Sequence, residues 1–343
     1  MADVTPVTLL TGVAGAGRTT LLNRLLRDPA LARTAVLADR RAAASITHAL
    51  VRPLAAVSTP FPNGCVCCAP RDDMTRVLRQ LLPRARRGEI DRVVIQLGAS
   101  AHPLSTLTAL MRDPAVAAAY APRAIVAMVD ADADVDAGAD AGAGPGLTLS
   151  DTTARQVAMA DRVLVNRAGA AAQARLRGLN PLAPLIDIAA GAIDAAALID
   201  GCGPLAAIPC AEAAGARLLT TTLAWMQPMD AADLSARLHD LAARLGGGLL
   251  RLRGLVWLRD ARHPAEVHAA GHLVGRLHPL SADPGGCDRY SRLVLVTEAV
   301  AAPAVRAAIA AAGLPTDDGY GAGDGATAAA MDRISRSPAA ATA

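Results

Sequence analysis

Three thiols stand within four residues at Cys65-Val66-Cys67-Cys68, in a stretch opened by Pro60, Pro62 and Gly64. Thiolates at that spacing can converge on one soft cation, and they select Zn2+ or Cu(I) over Mg2+. Zn2+ is the metal expected. A structural zinc site takes four ligands, whereas Cys65, Cys67 and Cys68 supply three. The fourth position is left to water, to a ligand from elsewhere or to a receiving protein. An incomplete shell suits transfer, because an incoming ligand can attack before any bond breaks. The competing reading is a set of small buried thiols, or a redox-sensitive pair at Cys67 and Cys68. Cys202, Cys210 and Cys287 are dispersed and read as small apolar residues.

A second cluster could bind phosphate. Gly12, Gly15 and Gly17 are followed by Arg18, Thr19 and Thr20; an apolar run precedes them, and the helical pattern Leu-Leu-Asn-Arg-Leu-Leu follows. This is the strand–loop–helix context that a Walker A loop requires. Glycines let backbone N–H groups turn inward around a β-phosphate, and the helix N-terminus adds partial positive charge. Thr19 would place a hydroxyl on Mg2+. Arg18 stands where the consensus has lysine, so the charge is kept while a planar, longer guanidinium replaces a compact ammonium. A Gly-rich turn that binds nothing is the alternative. Among the histidines, His268 and His272 are four apart, but their run looks more like strand than helix, and a structural role is expected for both.

The elements that must position these groups alternate through the first half. Strand-like runs fall at 7–10, 34–37, 92–97, 124–129 and 163–166, and helical runs at 19–26, 74–82 and 157–161. That alternation predicts an α/β fold with a parallel sheet. Beyond residue 216 the order becomes strand (218–225), helix (231–245), strands near 250–258, 266–277 and 292–297, then a helix from Pro303, which reads as a smaller α+β domain. The expected division is 1–210 for the nucleotide domain, 211–316 for the second domain and 317–343 for a small-residue tail. The acid-, Ala- and Gly-rich run 130–146 reads as a solvated linker, since a calcium loop would need Gly at its sixth position and Glu at its twelfth.

Composition narrows the classes. The chain of 343 residues is 52% hydrophobic but has one Phe, two Trp and three Tyr, so its cores must be built of Leu, Val and Ala. The net charge is +3, all 34 basic residues are arginine, and these are not gathered beside aromatics, so no nucleic-acid partner is expected. No apolar run approaches the roughly 20 residues needed to span a bilayer. A cytoplasmic protein with reduced thiols is the expectation.

Taken together, the motifs resemble the CobW-type family of P-loop metal-chaperone GTPases. Asn63-Gly64-Cys65-Val66-Cys67-Cys68 is similar to the family's NGCxCC segment. The segments 89–95, 156–166 and 180–186 are similar to its second core strand, the approach to its guanine-reading loop and its Asn-Pro stretch, and 250–258 to a strand of its C-terminal domain. The resemblance implies a P-loop NTPase sheet followed by a CobW C-terminal domain, binding of GTP or another nucleotide with Mg2+, a Zn2+ site, and a client metalloprotein as partner. It places Gly12, Gly15, Gly17, Arg18, Thr19, Thr20, Asn166 and Arg167 at the nucleotide, and Cys65, Cys67 and Cys68 at the metal.

The departures from the family pattern coincide on one reaction centre. Where the family has a glutamate and then a glycine after its second core strand, this chain has Gln96 and Ala99; where the base-reading loop has Asn-Lys-x-Asp, it has Asn166-Arg167-Ala168-Gly169. Arginine for lysine follows from a chain without lysine, but Gln96, Ala99 and Gly169 do not. The expectation is a nucleotide-binding zinc chaperone with weak or lost GTP hydrolysis and weak guanine selectivity. The alternative is a non-hydrolysing, metal-responsive adaptor.

Overall fold

The computed structural model describes residues 4–39, 43–46, 51–54, 72–130, 150–166, 168–188, 198, 212–214, 217–280 and 290–315. The first sheet is built from β1 (Thr5–Gly12), β2 (Thr34–Asp39), β3 (Val51–Leu54), β4 (Arg92–Gln96), β5 (Tyr120–Asp130), β6 (Arg162–Asn166) and β7 (Leu185–Asp187) in the order β3-β2-β4-β1-β5-β6-β7. Every pairing in it is parallel. Along β1 the apolar residues divide between two faces. Val7 and Leu9 join one core with Val93, Ile95, Ile125 and Val163, while Leu10 joins the other with Val94, Val126, Met128 and Leu164. A strand buried on both sides reads as a near-continuous apolar run, which is why β1 was legible.

Helix α1 (Arg18–Leu25) covers the second face with Leu21, Leu22 and Leu25. On the first face lie α2 (Asp72–Arg86), α3 (Pro103–Arg112), α4 (Pro114–Ala119) and α5 (Asp151–Ala158), and α6 (Ala170–Leu179) follows β6. Four of these helices differ from the sequence expectation: α3, α4 and α6 fall outside the helical runs read from the sequence, and α5 covers 151–158 where the reading has 157–161. It begins at Asp151 because Ser150 Oγ caps it, accepting from the Thr153 N–H at 3.2 Å, and it ends at Ala158. Asn180 seals that end, its amide donating to the carbonyls of Val157 and Ala160, each at 2.8 Å.

The second sheet is antiparallel. It runs β12-β11-β10-β14-β9-β8, where β8 is Glu212–Ala214, β9 Leu218–Trp225, β10 Leu249–Val256, β11 Ala265–Ala270, β12 Leu273–Val274 and β14 Ser291–Glu298; β13 (His278–Pro279) pairs with β11. One face is covered by α7 (Ala231–Leu245) and α8 (Ala302–Ala311), packing Leu234, Leu238 and Leu241 against Leu252, Val267 and Leu295. From the other face Leu218, Leu250, Ala270 and Val296 enter the core that fills one side of the first sheet. No helix among the described residues is long and apolar enough to cross a membrane.

Charge as well as apolar surface is buried where the sheets meet. Asp161, just past α5, accepts from the Ile125 N–H of β5 at 2.6 Å and from Arg251 Nη2 of β10 at 2.8 Å, and pairs with Arg253. Arg253 also reaches Glu266 at 3.1 Å, and Arg123 of β5 reaches the same carboxylate at 2.5 Å. His268, on β11 as the strand reading expected, lies 3.2 Å from Glu266; burial pushes its imidazole pKa down against the pull of that carboxylate. Burial alone would raise the Asp161 carboxyl, yet Arg251 and Arg253 overcome it and hold the pKa at about 2.

Removing one member of a buried ion group leaves the others uncompensated, so Asp161→Asn is expected to cost about 3–5 kcal/mol, measured by urea unfolding. The sign of the pH effect follows from the depressed pKa. The contribution is complete above the ordinary carboxylate value of 3.8 and is lost as pH falls toward about 2. The stability difference between wild type and Asp161→Asn should therefore shrink across that window. A difference independent of pH would show that Asp161 acts only through packing.

Candidate functional site

In open parallel sheets ligands bind beyond the carboxyl ends of the strands, where the chain switches direction across the sheet. Here β1 lies between β4 and β5, and the glycine loop leaves its carboxyl end. Gly12 closes β1 with φ 139°, and a Cβ there would stand 2.3 Å from the Met128 carbonyl oxygen of β5. Only glycine lets the strand pass that close. Gly17, at φ 84°, is the N-cap of α1 and offers no side chain to its N–H groups. The positive end of the helix therefore faces the loop, as an anion site needs. The space over Gly15 is open, with nothing within 4 Å of an added Cβ.

Arg18 and Thr19 open α1, and both turn toward the end of β4. The Arg18 guanidinium donates to the carbonyl oxygen of Leu97. Gln96, buried at 5% exposure, donates through Nε2 to Thr19 Oγ1 at 2.9 Å, while its Oε1 is buried without a partner among the described residues. The structure thus brings Gly12, Gly15, Gly17, Arg18, Thr19 and Gln96 to one place, with Thr20 exposed on the first turn of α1.

Ala99 lies in the loop that follows β4, and that loop is held from two sides. Gln156 of α5 donates to the carbonyls of Ala99 at 3.0 Å and Ala101 at 3.2 Å. At its far end His102 caps α3, with Nδ1 accepting from the Leu104 N–H at 3.1 Å. Burial, with help from nearby Arg155, pushes the His102 pKa down to about 4, which keeps the ring neutral and able to accept. Arg155 itself pairs with Glu298 of β14 at 2.7 Å. The roles of Gln156 and His102 were not read from the sequence, although a polar residue before Pro103 is a cap signal.

Asn166 ends β6, two strands from β1 and so about 10 Å away. Arg167 lies outside the described residues. Gly169 is the N-cap of α6 at φ −65°, with no side-chain hydrogen bond and nothing within 4 Å of an added Cβ. Cys65, Cys67 and Cys68 also lie outside the described residues. Among the described ones, no group of three or more His, Cys, Asp or Glu side chains could hold a metal ion.

Residues 6–183 match the CobW/HypB/UreG nucleotide-binding domain, and residues 220–313 match the C-terminal domain of the cobalamin synthesis protein CobW. The chain belongs to the CobW/HypB/UreG family. Similar proteins include the zinc chaperone YjiA of Escherichia coli, 26% identical over 270 residues that cover 74% of this chain and 81% of YjiA. The zinc chaperone CobW of Pseudomonas aeruginosa is 30% identical over 135 residues, 37% of this chain and 35% of that protein. The zinc-regulated GTPase metalloprotein activator 1 of Schizosaccharomyces pombe is 30% identical over 107 residues, covering 29% and 26%. Among solved structures, Zn(II)-bound YjiA GTPase from E. coli shares the fold, with a TM-score of 0.57 at 22% identity over 90% of this chain and 99% of that one.

In a CobW-type protein the position of Gly169 is expected to carry an aspartate that accepts two hydrogen bonds from guanine. Its backbone here is ordinary and its surroundings are open, so Gly169→Asp can be introduced without strain. Each restored charged hydrogen bond is worth about 1.5–3 kcal/mol. Competition of GTP and ATP should show little preference in wild type and a clear gain for GTP in the variant. A wild-type preference of about a hundredfold, some 2.7 kcal/mol, would show that another group reads the base.

Proposed function

We propose that this chain is a nucleotide-binding zinc chaperone in which GTP hydrolysis is weak or lost. The observation that carries the reading is the contrast within one site. The glycine loop and the uncapped start of α1 keep the form of a phosphate cradle, while the Gln96 amide sits on Thr19 where a carboxylate would help to hold a catalytic cation. Phosphoryl transfer on this fold depends on positioned charge and an oriented water, so small geometric losses become large losses of rate. Arg18, Gln96 and Ala99 place three such losses together.

Zinc enters as cargo. The names of the similar proteins concern zinc, and Cys65, Cys67 and Cys68 are the soft ligands by which this chain would carry it to a client metalloprotein. About one Zn2+ per chain is expected, with metal content falling in a Cys65→Ser, Cys67→Ser, Cys68→Ser triple variant. Equal zinc in both proteins would sink the assignment.

The second reading, a metal-responsive adaptor that does not use hydrolysis at all, is favoured by the two hydrogen bonds from Gln156 that pin the loop bearing Ala99. Steady-state phosphate release measures how far the chain has gone in that direction. Arg18→Lys alone should restore little, whereas Arg18→Lys with Gln96→Glu and Ala99→Gly should raise turnover much more. Wild-type turnover like that of an ordinary metal-chaperone GTPase would overturn the proposed loss.

A further inference from the structure

The family resemblance implies Mg2+ beside the nucleotide, and the described residues around Thr19 do not fit it. Mg2+ requires near-octahedral oxygen ligands at about 2.0–2.1 Å and is held through carboxylates together with substrate phosphates. Thr19 is the hydroxyl that would face the ion, and its oxygen instead accepts from Gln96 Nε2 at 2.9 Å. The positive end of an amide dipole is thus directed at the atom that should be a metal ligand. Turning the amide over would give Thr19 an acceptor but no negative charge. Nor can the side chain easily swing away, because it is 5% exposed.

Arg18 adds to the misfit. It crosses the same gap, from the start of α1 to the Leu97 carbonyl at the end of β4. Two hydrogen bonds therefore tie the start of α1 to the end of β4 beside the hydroxyl that would face a dication, and the positive guanidinium of Arg18 disfavours a second cation there.

Among the described residues, the phosphate-facing half of the site shows no such obstruction. Gly15 is open and Gly17 leaves the helix end uncapped. The orphaned, buried Gln96 Oε1 points the same way, since leaving a buried acceptor unsatisfied is costly. When the amide turns over, Oε1 accepts a hydrogen bond from the Thr19 hydroxyl and an N–H is released for an acceptor. A phosphate oxygen is the acceptor that a ligand in the loop would supply.

On the reading that the loop binds nucleotide, we infer that it does so without a divalent cation, the ligand being the free di- or triphosphate polyanion. Gln96 serves as a neutral donor to phosphate, and Arg18 supplies the fixed positive charge. Gln96 is on this account the residue that sets metal independence.

A fluorescent GDP analogue titrated into the full-length protein tests this, in buffer freed of divalent cations on a chelating resin and again with excess Mg2+. Affinities agreeing within about threefold, under 0.7 kcal/mol, support the inference. Binding that needs Mg2+, tighter by about tenfold or more, overturns it and leaves the nucleotide reading standing. Saturation in neither buffer overturns both. Gln96→Glu should bring Mg2+ dependence of about tenfold by restoring a charge beside Thr19, and the same independence in that variant as in wild type would remove Gln96 from the account.

Discussion

The buried carboxylate of Asp161 is the constraint on which the arrangement of both sheets depends. It closes the turn between α5 and β6, accepts from the backbone of β5 and receives two arginines of β10. Buried ion groups contribute little net stability beside an apolar replacement, but they punish misplacement, because a charge left alone in the interior is expensive. Apolar residues such as Leu250 and Val296 would tolerate sliding within the core they share with the first sheet. The Asp161 cluster does not, so the second sheet meets the first in one register.

From that register a physical path leads to the loop after β4, beside the glycine loop. Arg155 and Gln156 are neighbours on α5, and they point into different partners: Arg155 to Glu298 of the second sheet, Gln156 to the backbone of the loop after β4. The same loop ends in His102, whose neutral ring caps α3 beside Arg155. A loop that changed shape with the nucleotide would have to give up hydrogen bonds to Gln156, and α5 could follow it only by straining the ion pair to β14. In this chain the loop is fastened through α5 to the second sheet, and the cost of moving it includes a buried interface.

Local signals made much of the fold readable. β9 and α7 agree with the sequence reading at both ends, α7 because Asp230 caps it, accepting from the Ala232 and Asp233 N–H groups, and Gly246 follows its last residue. The glycine loop is legible because Gly15 and Gly17 answer a local demand for positive φ at the start of a helix, whereas the demand on Gly12, the Met128 carbonyl, is distant in sequence. What escaped was long-range. Asp161 meets Arg251 ninety residues away, and nothing near either residue announces the other. Gln156 looked like one polar position on an amphipathic helix, and its two carbonyl partners belong to a loop more than fifty residues earlier. Helices α3 and α4 were missed although Asp113 and Pro114 carry a cap-and-proline signal. The cysteine segment remains a reading of spacing and resemblance.

The departures from the resembled pattern at Gly169, Gln96 and Arg18 also differ in kind. Gly169 only removes a group: its backbone is relaxed, the space over it is open, and α6 still starts there. Gln96 puts something in place of what was lost, since its amide bonds Thr19 and sits among buried neighbours. A carboxylate at that depth would need a cation, from Mg2+ or from Arg18, to offset its desolvation, and a neutral amide needs none. The amide therefore spares the site a buried charge, while its Oε1 keeps an unmet demand for a donor. Arg18 follows the same logic, because a guanidinium held by the Leu97 carbonyl has a partner whether or not a phosphate is there. Both residues hold partners within the chain that require no cation, and the Gln96 Oε1, buried and unsatisfied among the described residues, is a group there for which a ligand would still have to provide.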